Sequence, residues 1–257
     1  MKARFRRAHV PAEAKDNAHG LRLKELTRAY QNLVEDSTRV MLRLKALFRA
    51  RAIQTPGQGV YHNLTQRPQW HAQLSDPGAQ LRAELLWAEL DLLRNLRPRA
   101  KAAMLAEAGR DPAWSILRSI PFLGPIRVAL LLATLQTPWR FRSKRNLWAY
   151  AGLAVVTYSS ADYVIEAGRP RRRRRAPMTR GLNRNHNRVV KQVFKSAATA
   201  ATGKPGPLQD WYRHLVAGGM DAALARVTLT RKLVAITLRL WKTGERFDAS
   251  HLTIPTS

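Results

Sequence analysis

The sequence predicts a mainly α protein: an antiparallel helical hairpin (a coiled coil) followed by a helical domain with a helix-hairpin-helix-like element and one short β-hairpin. Two long segments repeat apolar residues every three or four positions, as one-faced helices do. Shorter apolar segments are separated by proline and glycine, and β-prone residues cluster around 155–165. Strands never alternate regularly with helices, which argues against a parallel α/β fold.

Three regions follow from these patterns. Residues 1–18 are expected to form a disordered basic tail, residues 19–110 the hairpin, and residues 111–250 the C-terminal domain. The hairpin is expected to turn through a loop over 54–77, because that stretch is rich in residues that interrupt helices. These residues are Pro56, Gly57, Gly59, Pro68 and Pro77.

The two helices of the hairpin each carry an apolar stripe. The first stripe, with one polar interruption at Ser37, is Leu23, Leu26, Tyr30, Leu33, Ser37, Val40, Leu44 and Leu47. The second stripe is Leu81, Leu85, Ala88, Leu92 and Leu96, beside further leucines at 86, 90 and 93. A surplus apolar face would favour a dimer through residues 19–110, and an intramolecular bundle is the alternative.

The C-terminal domain opens with a helix, a break and a second helix. Pro121, Gly124 and Pro125 force the break, and the second helix begins with its positive dipole end exposed. Such an end can hold a DNA phosphate, although an ordinary helical corner has the same sequence pattern. In the segment TPWRFRSKRNLWAYAG we expect Trp139 and Trp148 in the core and the cations facing phosphate. β-Prone residues on both sides of Ser159 and Ser160 predict a short hairpin there.

Charge narrows the class of partner. The 257 residues include 45 Lys and Arg against 17 Asp and Glu, a formal net charge of +28. That excess favours nucleic acid, because each phosphate contact releases counterions. Ribosomal, histone-like and membrane-binding basic proteins share the composition, so charge alone selects no activity. Cysteine is absent, which excludes disulfides, and no apolar run reaches the roughly 18 residues of a membrane span. The expected setting is the bacterial cytoplasm, associated with the nucleoid.

The candidate chemistry lies at Ser159 and Ser160, just ahead of an arginine run. A serine hydroxyl is a poor nucleophile unless a base, a metal or nearby positive charge assists it. Asp162 and Glu166 follow, and no acidic residue occurs from Ala167 to Gln209. Two serines in a turn are also common turn formers, so spacing alone leaves both readings open.

The candidate nucleic-acid-binding residues are basic or amide-bearing and flank these serines, apart from one glycine in the helical break. They are Gly124, Arg140, Arg142, Lys144, Arg145, Arg169, Arg171, Arg172, Arg173, Arg174, Arg175, Arg180, Asn183, Arg184, His186 and Arg188. His186, set among three asparagines, is expected to bond to backbone or phosphate, and no metal ligand set is evident in the chain.

These motifs occur in a specific order: IPFLGP, then YSSAD, then RGLNRNHN, then a late GGMDAALARVTLTRKL. In that order the chain resembles the Piv/IS-one-ten insertion-sequence transposase family from about residue 19 to 250, with the hairpin similar to that family's central coiled coil. The resemblance implies a DNA transposase or site-specific recombinase that is guided by a structured bridge RNA. It assigns Ser160 as the nucleophile that attacks a DNA phosphodiester, with Ser159 as the fallback.

The chain departs from the family pattern at several positions. Phe122 stands where the family has a glycine, a family proline before the serines is absent, and Ala161 replaces a frequent glycine. The larger departure is the metal site. Family members begin with a RuvC-like domain whose DEDD acids bind Mg²⁺, whereas this chain begins MKARFRRAHVPAEAKDN, with no such acids.

Two functions therefore follow from the resemblance. The chain is expected to be a truncated transposase whose RuvC-like half is supplied elsewhere or lost, inactive alone and binding no cofactor by itself. The alternative is a non-catalytic, dimeric nucleic-acid-binding remnant. Under both, the expected partners are DNA, a guide RNA and a second copy of the chain, with no membrane.

Overall fold

Ten α-helices and four short strands form within the part of the chain that the computed structural model describes, residues 17–55, 57–158, 163–172 and 178–252. The helices are α1 Asn17–Arg49, α2 Gly59–His62, α3 Arg67–Ala72, α4 Pro77–Ala108, α5 Trp114–Ser119, α6 Pro125–Leu135, α7 Lys144–Tyr150, α8 Arg188–Thr202, α9 Pro207–Ala217 and α10 Ala222–Thr243. The strands are β1 Val155–Tyr158, β2 Tyr163–Glu166, β3 Arg169–Arg172 and β4 Met178–Leu182. The predicted mainly α class is confirmed.

The chain divides into two compact units, one of residues 21–107 and one of residues 1–20 with 108–257. The predicted basic tail lies almost wholly outside the described residues, which begin at residue 17. No helix among the described residues is long and apolar enough to cross a membrane.

Helices α1 and α4 run antiparallel in the unit of residues 21–107. Arg22 near the start of α1 pairs with Glu107 at the end of α4, and Arg43 further along α1 pairs with Glu89 earlier in α4. The predicted stripe of α1 is the inward face, because six of its eight residues are buried and the other two are half-buried. Ser37, the polar interruption, satisfies its buried hydroxyl by donating to the Leu33 carbonyl at 2.6 Å.

The predicted stripe of α4 is not the face that packs within this unit. Leu85 and Leu92 are 62% and 59% exposed, and Leu81 is similarly exposed. The face that packs into the core of this unit is Ala79, Ala83, Leu86, Trp87, Leu90 and Leu93. Leucines occur on both faces of α4, so their spacing alone does not show which face points inward. Ala79 and Ala83 belong to the inward face and lie in the same core cluster as Phe48.

The connection predicted as a loop over 54–77 contains two short helices, α2 and α3, and a 3₁₀ turn at Leu64–Gln66. The Trp87 indole of α4 donates to the Val60 carbonyl of α2 at 2.9 Å, which places α2 against the hairpin. The Phe48 and Trp70 rings meet edge to face with centroids 5.8 Å apart. These aromatic contacts close the hairpin at its turn.

The other unit is built around α10, which packs against α5, α7, α8 and α9. Its first turn is capped by Asp221, whose carboxylate accepts from the backbone amides of Ala223 and Leu224. The buried hydroxyls of Thr230 and Thr237 donate hydrogen bonds to backbone carbonyls one helical turn earlier. Neither buried hydroxyl is therefore left unsatisfied. Helix α8 presents an alanine- and valine-rich face to α10 and α6, which lets the helices approach closely.

The β-prone residues do form strands, but the pairing differs from the single hairpin that was predicted across the serines. β1 pairs with β4 in antiparallel register, with Val155 opposite Leu182 and Tyr158 opposite Met178. β2 pairs instead with β3 through a two-residue turn at Ala167 and Gly168. Both turn residues have positive φ, 51° and 73°, as a tight hairpin turn requires, and that turn determines the partner of β2.

An Arg67–Asp91 ion pair joins α3 to α4 with two nitrogen–oxygen contacts of 2.6 and 2.7 Å. The hydrogen bonds from Arg67 hold the pKa of the Asp91 carboxyl below its usual range. A carboxyl with a lowered folded-state pKa contributes stability above its unfolded-state pKa and loses that contribution as pH falls through the folded-state pKa.

We expect Asp91→Asn to destabilise the protein at neutral pH by about 1 kcal/mol, a figure kept small because Asp91 is partly exposed to solvent. The gap between variant and wild type should close as pH falls, which urea unfolding in a pH series measures. Glu35→Gln, which alters an exposed helical pair with Arg39, is the control and should change stability by less than about 0.5 kcal/mol. A gap that stays constant into acid would contradict the assignment.

Candidate nucleic-acid interface

The predicted nucleophile Ser160, its fallback Ser159 and the neighbouring Asp162 lie outside the described residues, as do Arg173, Arg174 and Arg175. The structure describes the two paired strands next to them, β1 and β4, which together we call the β1–β4 frame. Tyr158, the last residue of β1 and the residue before Ser159, is paired with Met178 of β4.

The start of β1 is tied to α10 by two hydrogen bonds that share Arg231. The Arg231 Nε donates to the Leu153 carbonyl at 2.7 Å, and the Trp148 indole donates to the Arg231 carbonyl at 2.9 Å. The guanidinium also lies 5.9 Å from the centre of the Trp148 ring. Side chain and backbone of one residue therefore fix both the end of α7 and the peptide that leads into β1.

The amide-rich turn after β4 folds back on the same peptide. The backbone N–H of Asn183 donates to the Ala154 carbonyl at 2.9 Å. The side-chain oxygen of Asn183 accepts from the backbone N–H of Asn185 at 3.0 Å. The His186 Nδ1 donates to the Asn183 carbonyl at 3.0 Å. The described contacts of His186 are thus with backbone, one of the two kinds of partner that the sequence predicts.

Asn187 joins this turn to α7 and to α8. Its backbone amide donates to the Tyr150 carbonyl at 2.9 Å, and its side-chain nitrogen donates to the Tyr150 hydroxyl at 3.1 Å. Its side-chain oxygen caps α8 by accepting from the Val190 amide at 3.0 Å. Tyr150 was missed as a site residue, while Asn187 could have been recognised from its position just before an amphipathic helix.

Gly152 is the tightest packing point of the turn. Its φ is +66°, and a Cβ built there would come within 2.5 Å of the His186 ring. Only glycine fits both the left-handed conformation and the close approach. The imidazole therefore lies directly against the backbone between α7 and β1.

The cations of the α7 region are exposed and supported by aromatic rings. Arg140 lies 4.8 Å from the centre of the Tyr150 ring, and Lys144 lies 5.7 Å from that of Trp148. The exposed cations among the predicted residues of this region are Arg140, Arg142, Lys144 and Arg145.

Two neighbours of these cations differ from them in burial or from the prediction. Burial, and secondarily the charge of Lys144, lower the pKa of Lys232 on α10. Trp139, expected in the core, is instead exposed.

A cavity of about 410 Å³ opens between β1 and the amide-rich turn. Its lining is Val156, Leu182, Asn183, Arg184 and Asn185, so apolar surface and amide groups face the same space. Val156 is three residues ahead of Ser159. The cavity is of a size that accommodates small ligands or one unit of a polymer.

The remaining predicted residues are distributed over other elements. Arg169 and Arg171 lie exposed on β3, where Arg171 pairs with Glu166 at 3.0 Å, and Arg188 is the exposed first residue of α8. Of Arg172 and Arg180 only the backbone is described, in β3 and β4.

Gly124 caps α6 with a φ of −64°. A Cβ there would meet nothing within 4 Å, so packing does not require glycine at this position. The left-handed residue of this break is Phe122, with φ +65°, and its carbonyl accepts from Arg127 at 2.9 Å.

Among the described residues no three His, Asp or Glu side chains come together in a way that could hold a metal ion. Two carboxylates of this unit already have partners among the described residues: Glu166 on β2 pairs with Arg171, and Asp221 caps α10.

We expect Gly152→Ala to lower the free energy of unfolding by about 2–4 kcal/mol, because the new methyl group meets the His186 ring and the residue keeps a left-handed φ. Denaturant unfolding measures this. Gly203→Ala is the matched control, since that glycine has an ordinary φ of −99° and its Cβ would meet its nearest neighbour at 3.9 Å.

Adding His186→Ala removes the ring from the clash, so the double variant should lose less than the sum of the two single variants. If Gly152→Ala is as harmless as Gly203→Ala, the close packing of the turn is wrong.

Residues 114–212 match the model of the transposase IS116/IS110/IS902 family. The chain is also similar to the insertion element IS116 uncharacterized 44.8 kDa protein of Streptomyces clavuligerus, with 27% identity over 131 residues. That alignment covers 51% of this chain and 29% of the relative's length. The matched segment contains α5 to α8, the first part of α9, both small sheets and the turn at Asn183–Asn187. Residues 114–212 of this protein are accordingly similar to the transposase domain of the IS116/IS110/IS902 family.

Proposed function

We propose that this protein acts in insertion-sequence transposition, with Ser160 as the nucleophile that attacks a DNA phosphodiester. The observation that carries the proposal is the family match over residues 114–212, which spans both serines, the arginine run and the amide-rich turn. A transposase acts on DNA, so we propose that the large positive charge binds the phosphates of DNA.

The reaction is a phosphoryl transfer to serine. The Ser160 Oγ forms a bond to phosphorus, and the phosphorus–oxygen bond to one deoxyribose breaks. The displaced oxygen takes up a proton and leaves as a hydroxyl, while the serine proton passes to a base. The strand is then held as a phosphoserine diester until a second hydroxyl reverses the step on a new strand.

Charge distribution supports this chemistry. Residues 108–257 contain 26 Lys and Arg against seven Asp and Glu, and residues 167–209 contain no acid. Negative charge grows on the phosphate oxygens in the transition state, and fixed guanidinium groups stabilise it more than they stabilise the ground state. Exposed arginines beside β1 and β4, such as Arg184, are suited to hold the phosphates on either side of the reacting one.

The resemblance to the Piv/IS-one-ten family adds a metal-binding half and a guide RNA to the proposal. Mg²⁺ on a RuvC-like DEDD site would activate the attacking or leaving oxygen when bound. Its ligands would belong to a polypeptide segment other than the one described. The guide RNA would bind the same basic domain, and the work of the protein would take place at the bacterial nucleoid, where its DNA substrate is.

Strand transfer needs two DNA ends, which a dimer supplies, and the exposed stripe of α4 offers a surface for one. Leu81, Leu85, Ala88 and Leu92 recur at spacings of four, three and four, as the seam of a two-helix contact does. Three of these leucines are more than half exposed. Such a row of leucines in water is costly and is relieved when a second copy covers it.

We expect the protein to be a dimer at micromolar concentration and the double variant Leu85→Glu, Leu92→Glu to be a monomer, because carboxylates would be buried in the seam. Analytical ultracentrifugation measures the mass. Leu42→Glu changes an equally exposed leucine on α1, outside the stripe, and should leave the dimer intact. A monomeric wild type would contradict the dimer.

The serine assignment predicts a covalent protein–DNA adduct when the protein is mixed with nicked suicide-substrate DNA and a RuvC-like half. Ser160→Ala should abolish the adduct, because no Oγ is left to form the phosphorus bond, while Ser159→Ala should retain it. Denaturing gel electrophoresis and peptide mass spectrometry detect and locate the linkage.

An adduct that persists in Ser160→Ala and vanishes in Ser159→Ala would move the nucleophile by one residue. No adduct in wild type with the supplied half present would favour the second function, a dimeric nucleic-acid-binding remnant without catalysis. Because Ser160→Ala removes one oxygen atom, salt-dependent DNA binding should be unchanged in that variant, which separates lost chemistry from lost binding.

A further inference from the structure

Trp139 is the exposed tryptophan of this protein. All seven tryptophans lie in the described residues, and six are buried or half-buried, whereas Trp139 is 57% exposed. It stands on a 3₁₀ turn, Pro138–Arg140, between α6 and α7. The exposed indole has a flat apolar face and a polar N–H, which suits it to contact a ligand.

The turn that carries Trp139 is well anchored. Thr137 caps it through its hydroxyl, and the Phe141 amide closes it on the Pro138 carbonyl at 3.2 Å. Pro138 itself is buried. The backbone beneath the indole is therefore held in place, which lowers the entropy that a ligand would have to overcome.

A lysine from α10 fixes the ring further. The Lys242 ammonium lies 5.3 Å from the centre of the Trp139 ring and donates to the Phe141 carbonyl at 2.6 Å. This ammonium is held between a ring and a carbonyl, so it positions the indole and gives the surface a fixed positive charge.

Positive charge continues on both sides of the indole. Arg140 follows it directly and packs on Tyr150, and Arg142 is exposed two residues later. Neither guanidinium has a carboxylate partner among the described residues, and residues 112–161 contain no acid at all. An exposed indole flanked by unpaired guanidinium groups matches a polyanion that also presents flat aromatic rings.

We propose that Trp139 stacks on an unpaired base of a single-stranded nucleic acid, with Arg140 and Arg142 on the phosphates next to that base. Every base offers a π-face, so stacking is tolerant of sequence, whereas a base inside a duplex has both faces covered by its neighbours. The surface therefore selects unpaired over paired segments. The inference rests on the proposed function for its partner, and the strand could be RNA or DNA.

The test measures binding of one sequence as single-stranded DNA, as single-stranded RNA and as a blunt duplex, by fluorescence anisotropy at a fixed salt concentration. Trp139→Ala should weaken single-strand affinity about 5- to 100-fold and duplex affinity less than about twofold, as expected for the loss of one stacked base. The DNA and RNA arms tell which strand the surface prefers. Leu224→Ala, an exposed apolar side chain of the same unit, is the control and should change neither affinity.

Trp139→Phe gives a readout that a merely structural role would not move. It keeps a ring for stacking, so affinity should fall only a few-fold, but the share of the tryptophan quenching that comes from Trp139 should be lost. Circular dichroism and an unchanged unfolding midpoint exclude misfolding in each variant.

Single-strand affinity within twofold of wild type in Trp139→Ala would overturn the inference, as would an equal loss for duplex and single strand. Both results leave the serine chemistry standing, since Trp139 is not among the reacting groups. Conversely, failure of wild type to form the Ser160 adduct, with Trp139-dependent binding intact, would remove the proposed chemistry and keep this surface.

Discussion

The β1–β4 frame depends on Arg231. Its guanidinium holds the Leu153 carbonyl and its own carbonyl holds the Trp148 indole, so one residue of α10 locks the end of α7 and the entry to β1. Leu153 is buried, and loss of the guanidinium would leave its carbonyl without that bond. The peptide that follows, from Ala154, then receives Asn183 and sets the position of the amide-rich turn.

This arrangement separates the cations of the domain into two kinds. Arg231, Arg127 and Lys242 are committed to backbone carbonyls of neighbouring elements and act as structural links. Arg142, Arg145, Arg184 and Arg188 are exposed and point to a second use. A folded domain with so few acids repels itself, and that cost is offset when phosphates bind. Structural arginines hold the frame that presents the exposed ones, which suits a domain that must keep its shape while it binds a polyanion.

Sequence patterns predicted where helices and strands form better than they predicted which helix face packs inward and which strands pair. The α1 stripe is confirmed as the packed face because that helix has one apolar face, whereas α4 has leucines on both faces and packs through the one that its leucine spacing did not single out. The strands occur where β-prone residues predicted them. Their pairing was missed because a tight turn at Ala167 and Gly168 joins β2 to β3, and β1 pairs with a strand twenty residues later. No local spacing indicates that His186 packs on Gly152, since that contact depends on how α7 and α8 meet.

The sequence predicted which residues belong to the candidate site but not how they contact one another. The amide-rich turn and the basic residues around α7 lie on connected elements, joined through Tyr150 and Asn187. Trp139 was expected in the core because apolar aromatic residues usually are, but it lies exposed on the turn at Pro138–Arg140. Ser159 and Ser160 lie outside the described residues, and their proposed role comes from the sequence resemblance alone.

We propose that the α7 region and the turn after β4 form one nucleic-acid interface. Photochemical cross-linking to DNA carrying 5-bromouracil, followed by mass spectrometry of the cross-linked peptides, tests it most directly. We expect cross-links concentrated in residues 139–150 and 182–188 and suppressed by excess unlabelled DNA. Cross-links confined to residues 21–107, or spread evenly over the lysines and arginines of the chain, would contradict it.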